Sequence, residues 1–263
     1  MSQVGTASMS GATSASASIS SGAILFGRYA FAPNRLGYCG PADHAALFAY
    51  VAQQRSDRGL IELERRFEGA YPYLRLIAAA NGIADPFDHR IVEAYWIGNA
   101  CLERVDATSF HDSLGERFKP RMDARSFDWL SGKLAHGAKP HHNFHVFDVY
   151  IRAGLMNDAR AAIAVETIDS CRISWGEVVG IEGPELLVAR PRLVLREGKL
   201  ALSPPEPLRV TRQIEGQGFA DGARPGDVVS VHWSWACEVL TRAKLERLQR
   251  YTRRYTALAN ETM

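Results

Sequence analysis

The sequence contains no long hydrophobic run, no marked charge imbalance and no dense set of cysteines. No apolar segment approaches the roughly 20 residues that a helix needs to cross a bilayer, so no membrane partner is expected. The formal net charge of +2 is too small to indicate a surface for nucleic acid. Four widely spaced cysteines do not form a disulfide framework. They favour a reducing compartment, which predicts a cytoplasmic location.

Several motifs that would point directly to an activity are also missing. The sequence has no Walker loop, no Gly-x-Gly-x-x-Gly dinucleotide motif, no Cys-x-x-Cys pair and no His-Glu-x-x-His zinc-protease motif. A length of 263 residues with 46% hydrophobic and 23% charged residues is ordinary for a soluble globular protein. Such a chain forms one large or two modest domains.

The residue patterns predict an α+β protein with three successive regions. Residues 1–22 are almost entirely small and polar and are predicted to be disordered, without the features of a secretory signal. Apolar residues at helical spacing predict an all-helical domain over residues 23–165. Short strands separated by turn residues then predict a small OB-like β-barrel within residues 166–263. A basic amphipathic helix capped by Thr241 ends the chain.

Two predicted strands carry the residue types of a metal site. One strand is predicted to begin at Cys171, and the other, over residues 226–236, contains His232. Because small barrels bring distant strands side by side, the thiol and the imidazole can meet at one rim. A thiolate and an imidazole suit iron, zinc or copper better than magnesium or calcium. If they share a metal, their side chains must lie within about 4–6 Å of each other. The alternative is that both are packing residues of the barrel.

Cys39 is a further candidate, as a metal ligand or as a catalytic nucleophile. Pro41 is predicted to be the first residue of a helix, which would place Cys39 just ahead of the helix N-terminus. That position favours a thiolate, and His44 is close in sequence. The alternative interpretation is that Cys39 is a small buried residue in a tight turn.

A histidine-rich segment offers two more candidate ligands. If the segment is helical, His141 and His145 share one face at a spacing typical of metal ligands. If it is a strand, His145 shares a face with Phe147 and Val149 instead. A structural role is equally open, in which the histidines bond to the backbone or line a seam between domains.

The C-terminal region, over about residues 169–258, resembles the small hydrogenase maturation chaperones of the HypC/HupF type. Those proteins begin with Cys-x-x-x-x-Gly, a spacing that Cys171 and Gly176 reproduce. They also carry a Gly-Asp-x-Val-x-Val-His motif followed by an aromatic residue and alanine. The matching positions here are Gly226, Asp227, Val229, Val231, His232, Trp235 and Ala236.

The resemblance implies an iron carrier. In that family the motif Cys and His are implicated in holding the Fe(CN)2CO fragment of nickel–iron hydrogenases, which implies iron ligation by Cys171 and His232. The implied partners are a hydrogenase large subunit or other maturation proteins. The chain departs from the pattern because Cys171 is internal, Trp175 replaces a proline, and Ser234 replaces a glycine. The N-terminal region resembles an uncharacterised helical family found near hydrogenase genes.

Two other functions fit the same residues. The helical domain could be a metal- or cysteine-dependent enzyme that supplies a diatomic ligand, with Cys39 as its catalytic residue. The protein could also be a metal-free adaptor for a hydrogenase subunit. Loss of function on substituting Cys39 but not Cys171 would indicate the enzyme, and indifference to both substitutions would indicate the adaptor.

Overall fold

A computed structural model describes residues 12–149 and 161–261. Its N-terminal part is helical. The helices there are α1 (Ala12–Arg35), α2 (His44–Ala52), α3 (Arg58–Arg65), α4 (Tyr71–Ala80), α5 (His89–Trp96), α6 (Ala100–Glu103), α7 (Ala107–Phe118), α8 (Ala124–Gly132) and α9 (His142–Phe144), followed by a π-helical segment (His145–Val149). Helix α10 (Ala161–Cys171) leads to the strands, and α11 (Arg242–Asn260) ends the described chain.

Helix α1 is the central element of the helical part. Its aromatic residues Phe26, Tyr29 and Phe31 are almost completely buried. The helix begins at Ala12, so ordered structure starts well inside the stretch predicted to be disordered, whose first eleven residues lie outside the described chain. Packing explains the difference, because a side chain at Gly22 would collide with the Phe87 carbonyl oxygen, 1.8 Å from an added Cβ. Small residues there permit a close approach of two backbones.

Short polar side chains set the helix starts, as the sequence pattern predicts. In α3, α5, α6, α7 and α8 the residue before the first turn accepts a hydrogen bond from a free backbone N–H group. These caps are Asp57, Asp88, Asn99, Asp106 and Asp123. Thr241 caps α11 in the same way, which confirms the predicted C-terminal helix.

The β-strands form a five-stranded sheet and one short hairpin. The strands are β1 (Ser174–Glu182), β2 (Glu185–Arg196), β3 (Lys199–Thr211), β4 (Gln213–Ile214), β5 (Gln217–Gly218), β6 (Val228–His232) and β7 (Trp235–Val239). The order in the main sheet is β1-β2-β3-β7-β6, and it closes into a small barrel because β6 also pairs with β1. A single residue pair, Thr211 with Trp235, joins β3 to β7. The predicted α+β fold class is confirmed.

The pairing of β1 with β6 places the two motif residues at one end of the sheet. Ser174, the first residue of β1, pairs with Val231, the residue before His232. Cys171 itself is not on a strand: it is the last residue of α10. The prediction that a strand begins there was therefore wrong by three residues. Helix propensity does not explain the difference, because the end of α10 contains weak helix formers, namely Thr167, Asp169 and Ser170.

The sheet and the helices share one hydrophobic core. Trp235 and Cys237 of β7 belong to the same buried cluster as the aromatic residues of α1. Tyr251 and Tyr255 of α11 are buried in that cluster too. The predicted boundary after residue 165 falls inside α10, so a continuous helix joins the two regions. Among the described residues, no helix combines the length and apolar character that crossing a membrane requires.

Candidate metal centre

Three potential metal ligands meet where the helical part contacts the sheet. His142 is the first residue of α9, Cys171 is the last of α10, and His232 is the last of β6. One ligand atom from each lies within 4.8 Å of the other two. This arrangement meets the distance condition expected of a metal shared by Cys171 and His232, and it adds a second imidazole.

Local backbone signals place His142. His141 precedes α9 and caps it, because its Nδ1 accepts a hydrogen bond from the Asn143 N–H at 3.0 Å. The π-helical segment His145–Val149 then follows directly. Inserted π-helical turns are rare and occur frequently at functional sites. Helix α9 and the π-helical segment together place His142 and His145 in the wall of one cavity.

A buried ionic network that includes Arg172, the residue after Cys171, holds the backbone of Cys171 in place. Arg172 is fully buried, and its guanidinium pairs with Asp169 at 2.8 Å. Asp169 also accepts hydrogen bonds from the Leu193 N–H at 2.8 Å and from Arg190 at 2.6 Å. The network ties the end of α10 to β2, so the backbone that carries the thiol is held on both sides.

His232 presents a free nitrogen to the group. The Tyr29 carbonyl can only accept a hydrogen bond, so Nδ1 of His232, 2.7 Å away, carries the proton. Nε2 is buried and forms no hydrogen bond of good geometry in the described part of the chain, although the Cys171 backbone lies near enough to raise the pKa of the ring. A buried nitrogen lone pair without a partner costs roughly 1–3 kcal/mol. A metal ion would satisfy it, with Tyr29 acting as the outer partner that ligating histidines typically have.

His142 has both ring nitrogens engaged. Its Nε2 donates to the Cys171 carbonyl at 2.9 Å, which leaves Nδ1 to accept from the Tyr95 hydroxyl at 3.3 Å. The second distance is long for a hydrogen bond from a hydroxyl group. Nδ1 is therefore the nitrogen that a metal can take, because the metal would displace only this weak hydrogen bond from Tyr95.

The centre is electrically neutral in the absence of a cation. Burial raises the pKa of the Cys171 thiol to about 12, an effect that Trp233 partly offsets. Burial lowers the pKa of His142 to about 4. Burial, together with the neighbouring His142, lowers the pKa of His232 to about 3. At neutral pH the histidines are ready to bind metal, whereas the thiol must release a proton when it does so.

The cavity beside the three ligands has a volume of about 80 Å³. Cys39 and His145 also line it, and the stacked rings of Tyr38 and Trp233, with centroids 4.2 Å apart, form part of its wall. Pockets for organic ligands usually occupy about 300–1,000 Å³. The space is thus suited to an ion with a few very small ligands.

Trp233 and the residue after it adopt an unusual backbone conformation. Trp233 and Ser234 form the tight turn between β6 and β7 and have positive φ angles of 49° and 58°. Such angles favour glycine, which is the residue that the chaperone motif has at the position of Ser234. Strained backbone of this kind clusters at functional sites. Here it follows His232 directly.

Cys39 lies at the cavity, but not for the predicted reason. Helix α2 begins at His44 with Asp43 before it, so Pro41 is not the first helical residue and no helix N-terminus adjoins the thiol. The residue as a whole is exposed. Its thiol lines the cavity, and burial, followed by the effect of Cys171, raises its pKa to about 12. The thiolate expected from a helix dipole is not supported.

Two of the other predicted ligands lie elsewhere. His44 is exposed and is not part of the cavity wall. His141 is buried, with its ring stacked on those of Tyr251 and Tyr255 at centroid distances of 4.8 and 5.6 Å. The helical and strand interpretations of this segment both missed His142. The signal was present, because His142 and His145 are three residues apart and also share a helix face.

A helical part, a small closed sheet and a buried His/Cys/His group at their junction define an α+β protein with a candidate transition-metal centre. The chain belongs to DUF6390, a family of unknown function whose model matches residues 18–263. No curated protein and no solved structure matches the chain.

Proposed function

We propose that this protein binds a transition-metal ion through His142, Cys171 and His232. The observation that carries the proposal is the convergence of their ligand atoms within 4.8 Å of one another, with Nε2 of His232 buried and unpartnered. Two imidazoles and a thiolate form a donor set for iron, zinc or copper. Three protein ligands beside a small cavity leave coordination positions for exogenous ligands, as open metal sites do.

We further propose that the metal is iron and that the protein acts in the cytoplasm during assembly of a nickel–iron hydrogenase. It would carry either the complete Fe(CN)2CO fragment or the iron of that fragment alone. The sequence motifs around Cys171 and His232 support this assignment. The cavity of about 80 Å³ also favours an ion with diatomic ligands over an organic cofactor. The partner on this proposal is a hydrogenase large subunit or another maturation protein.

Two observations weigh against the two alternative functions. A thiol whose pKa is about 12 is almost entirely protonated at neutral pH and is a poor nucleophile. The same thiol shares a cavity with Cys171, where a cation would favour its thiolate. Cys39 therefore suits a fourth ligand better than the nucleophile of an enzyme. A metal-free adaptor gives no reason for the buried, unpartnered nitrogen of His232.

Anaerobic titration with Co²⁺, a spectroscopic probe of thiolate and imidazole ligands, tests the site. The variants Cys171→Ser, His232→Ala and His142→Ala should each weaken Co²⁺ binding by more than about 100-fold, because loss of an outer partner alone costs 10–100-fold. Cys101→Ser and His136→Ala are matched controls, since Cys101 and His136 lie outside the cavity wall. Unchanged binding in the three ligand variants would refute the centre.

Infrared spectroscopy tests the cargo separately. Protein purified from a hydrogenase-producing host should show bands of metal-bound cyanide and carbon monoxide, and Cys171→Ser should abolish them. If Co²⁺ binds but no such bands appear, the proposal of a metal centre stands and the proposal of a hydrogenase cargo is rejected. The adaptor would be favoured if metal-free protein copurifies with a hydrogenase subunit and if the variants Cys39→Ser and Cys171→Ser still do so.

A further inference from the structure

A second, larger cavity adjoins the candidate metal centre. Its volume is about 700 Å³, within the range of pockets for small organic ligands. Gly69 and His145 belong to the walls of both cavities. Gly69 lies beside His145, since an added Cβ there would be in ordinary van der Waals contact with Nε2 at 3.7 Å. We call this larger cavity the arginine chamber, after Arg65, Arg117 and Arg121 in its wall.

The three arginines outnumber the acidic residues of the same wall. Glu68 and Glu116 line the same chamber. In residues 12–149 and 161–261, however, no carboxylate forms an ion pair with any of the three guanidinium groups. Nearby arginines behave differently: Arg58 pairs with Glu62 at 2.6 Å, and Arg66 pairs with Asp43 at 3.2 Å.

Arg117 is the least exposed of the three. Its guanidinium lies over the rings of Tyr73 and Phe118, 4.2 and 4.9 Å from their centroids. Nη2 donates to the carbonyls of Glu68 and Gly69 over long distances of 3.4 and 3.3 Å, and Nη1 has no acceptor among the described residues. Ring stacking and the two carbonyls hold the group in place, and Nη1 keeps hydrogen-bonding capacity.

We propose that the arginine chamber binds a small oxyanion, a carboxylate or a phosphate group, through Arg65, Arg117 and Arg121. Planar guanidinium groups match both oxyanions because they can donate two parallel hydrogen bonds. Tyr71 and Phe118 provide apolar wall for the remainder of such a ligand. His145 separates the bound anion from the metal centre, and burial, followed by His142 and Arg117, lowers its pKa to about 3. The separating ring is therefore neutral.

Isothermal titration of the metal-free protein at low salt tests this site, with inorganic phosphate and acetate as probes. One of the two should bind saturably at one site, and the tighter probe assigns the oxyanion class. Arg117→Met should weaken binding at least tenfold, since hydrogen bonds to charged groups are the strong ones. If that variant does not fold, the double variant Arg65→Met/Arg121→Met decides, because both of its side chains are exposed.

Arg58→Met is the matched control, since Arg58 is on α3 with Arg65 but outside the chamber wall. It should bind the probe as the unsubstituted protein does. Failure of both anions to bind saturably, or equal weakening by Arg58→Met, would overturn the proposal. Because the titration uses metal-free protein, its failure would leave the Co²⁺ result unaffected, and loss of Co²⁺ binding would leave the chamber unaffected.

Discussion

The stability of the metal-free protein should fall steeply as the pH decreases below about 6. Burial lowers the pKa of His141, His145 and His232 to about 3 and that of His142 to about 4. In the unfolded chain each has a pKa of about 6.5. The four histidines therefore make their full contribution to the free energy of unfolding above pH 6.5. It is lost as the pH falls from 6.5 towards 3–4, because the unfolded chain binds protons that the fold excludes.

Two buried carboxyl groups act in the opposite direction. Burial raises the pKa of Asp148 to about 7 and the pKa of Glu64 well above its usual value. Near pH 5 the folded protein retains the Asp148 proton and, through the raised pKa of Glu64, favours a proton there too, while the unfolded chain takes up four on its histidines. Unfolding thus binds a net of about two protons. At about 1.4 kcal/mol per proton and pH unit, the free energy of unfolding should fall by roughly 3 kcal/mol per unit.

Urea unfolding of metal-free protein at several values between about pH 4.5 and pH 6.5 measures this slope. His141→Asn should reduce it by about 1.4 kcal/mol per pH unit, while asparagine preserves a capping side chain before α9. A stability that does not change with pH over this window, or an unchanged slope in His141→Asn, would refute the reasoning.

Three further substitutions test the framework around the site by urea unfolding. Asp169→Asn should cost about 3–5 kcal/mol, because it leaves the buried Arg172 short of a counter-charge; stability within 1 kcal/mol of the original would contradict the network. Gly98→Ala should cost about 3 kcal/mol, since Gly98 has a φ of 94° and an added Cβ would lie 2.1 Å from the Tyr251 ring. Ser234→Gly should gain about 1 kcal/mol by relieving a positive φ, and a decrease in stability would show that the turn is not strained.

Most of the fold was predictable because its signals are local. Helical periodicity identified the helical region, and turn residues identified the strands. The errors occurred where a tertiary contact decided the structure. Ala12 to Gly22 was predicted to be disordered from composition alone, whereas Gly22 packs against the backbone of Phe87. No local signal indicates such an approach.

The candidate site was predictable only in part. Cys171 and His232 were identified through spaced motifs on paired segments, and the register of β1 with β6 brings them together. His142 could not be selected in the same way, because it enters from an irregular turn in which a capping histidine and a π-helical segment meet. Cys39 was identified from an incorrect helix start, and its position depends instead on the loop after α1.

The placement of the three ligands suits a centre that is loaded and emptied. Each comes from a different unit: His142 from the helical part, Cys171 from the connecting helix and His232 from the sheet. A metal bound by all three would hold these units together, and its binding energy would add to the folding energy. Without metal, the neutral thiol and imidazoles carry no buried charge, and the unpartnered nitrogen of His232 costs only roughly 1–3 kcal/mol. The fold is therefore compatible with both states, as the proposed reversible binding of a metal requires.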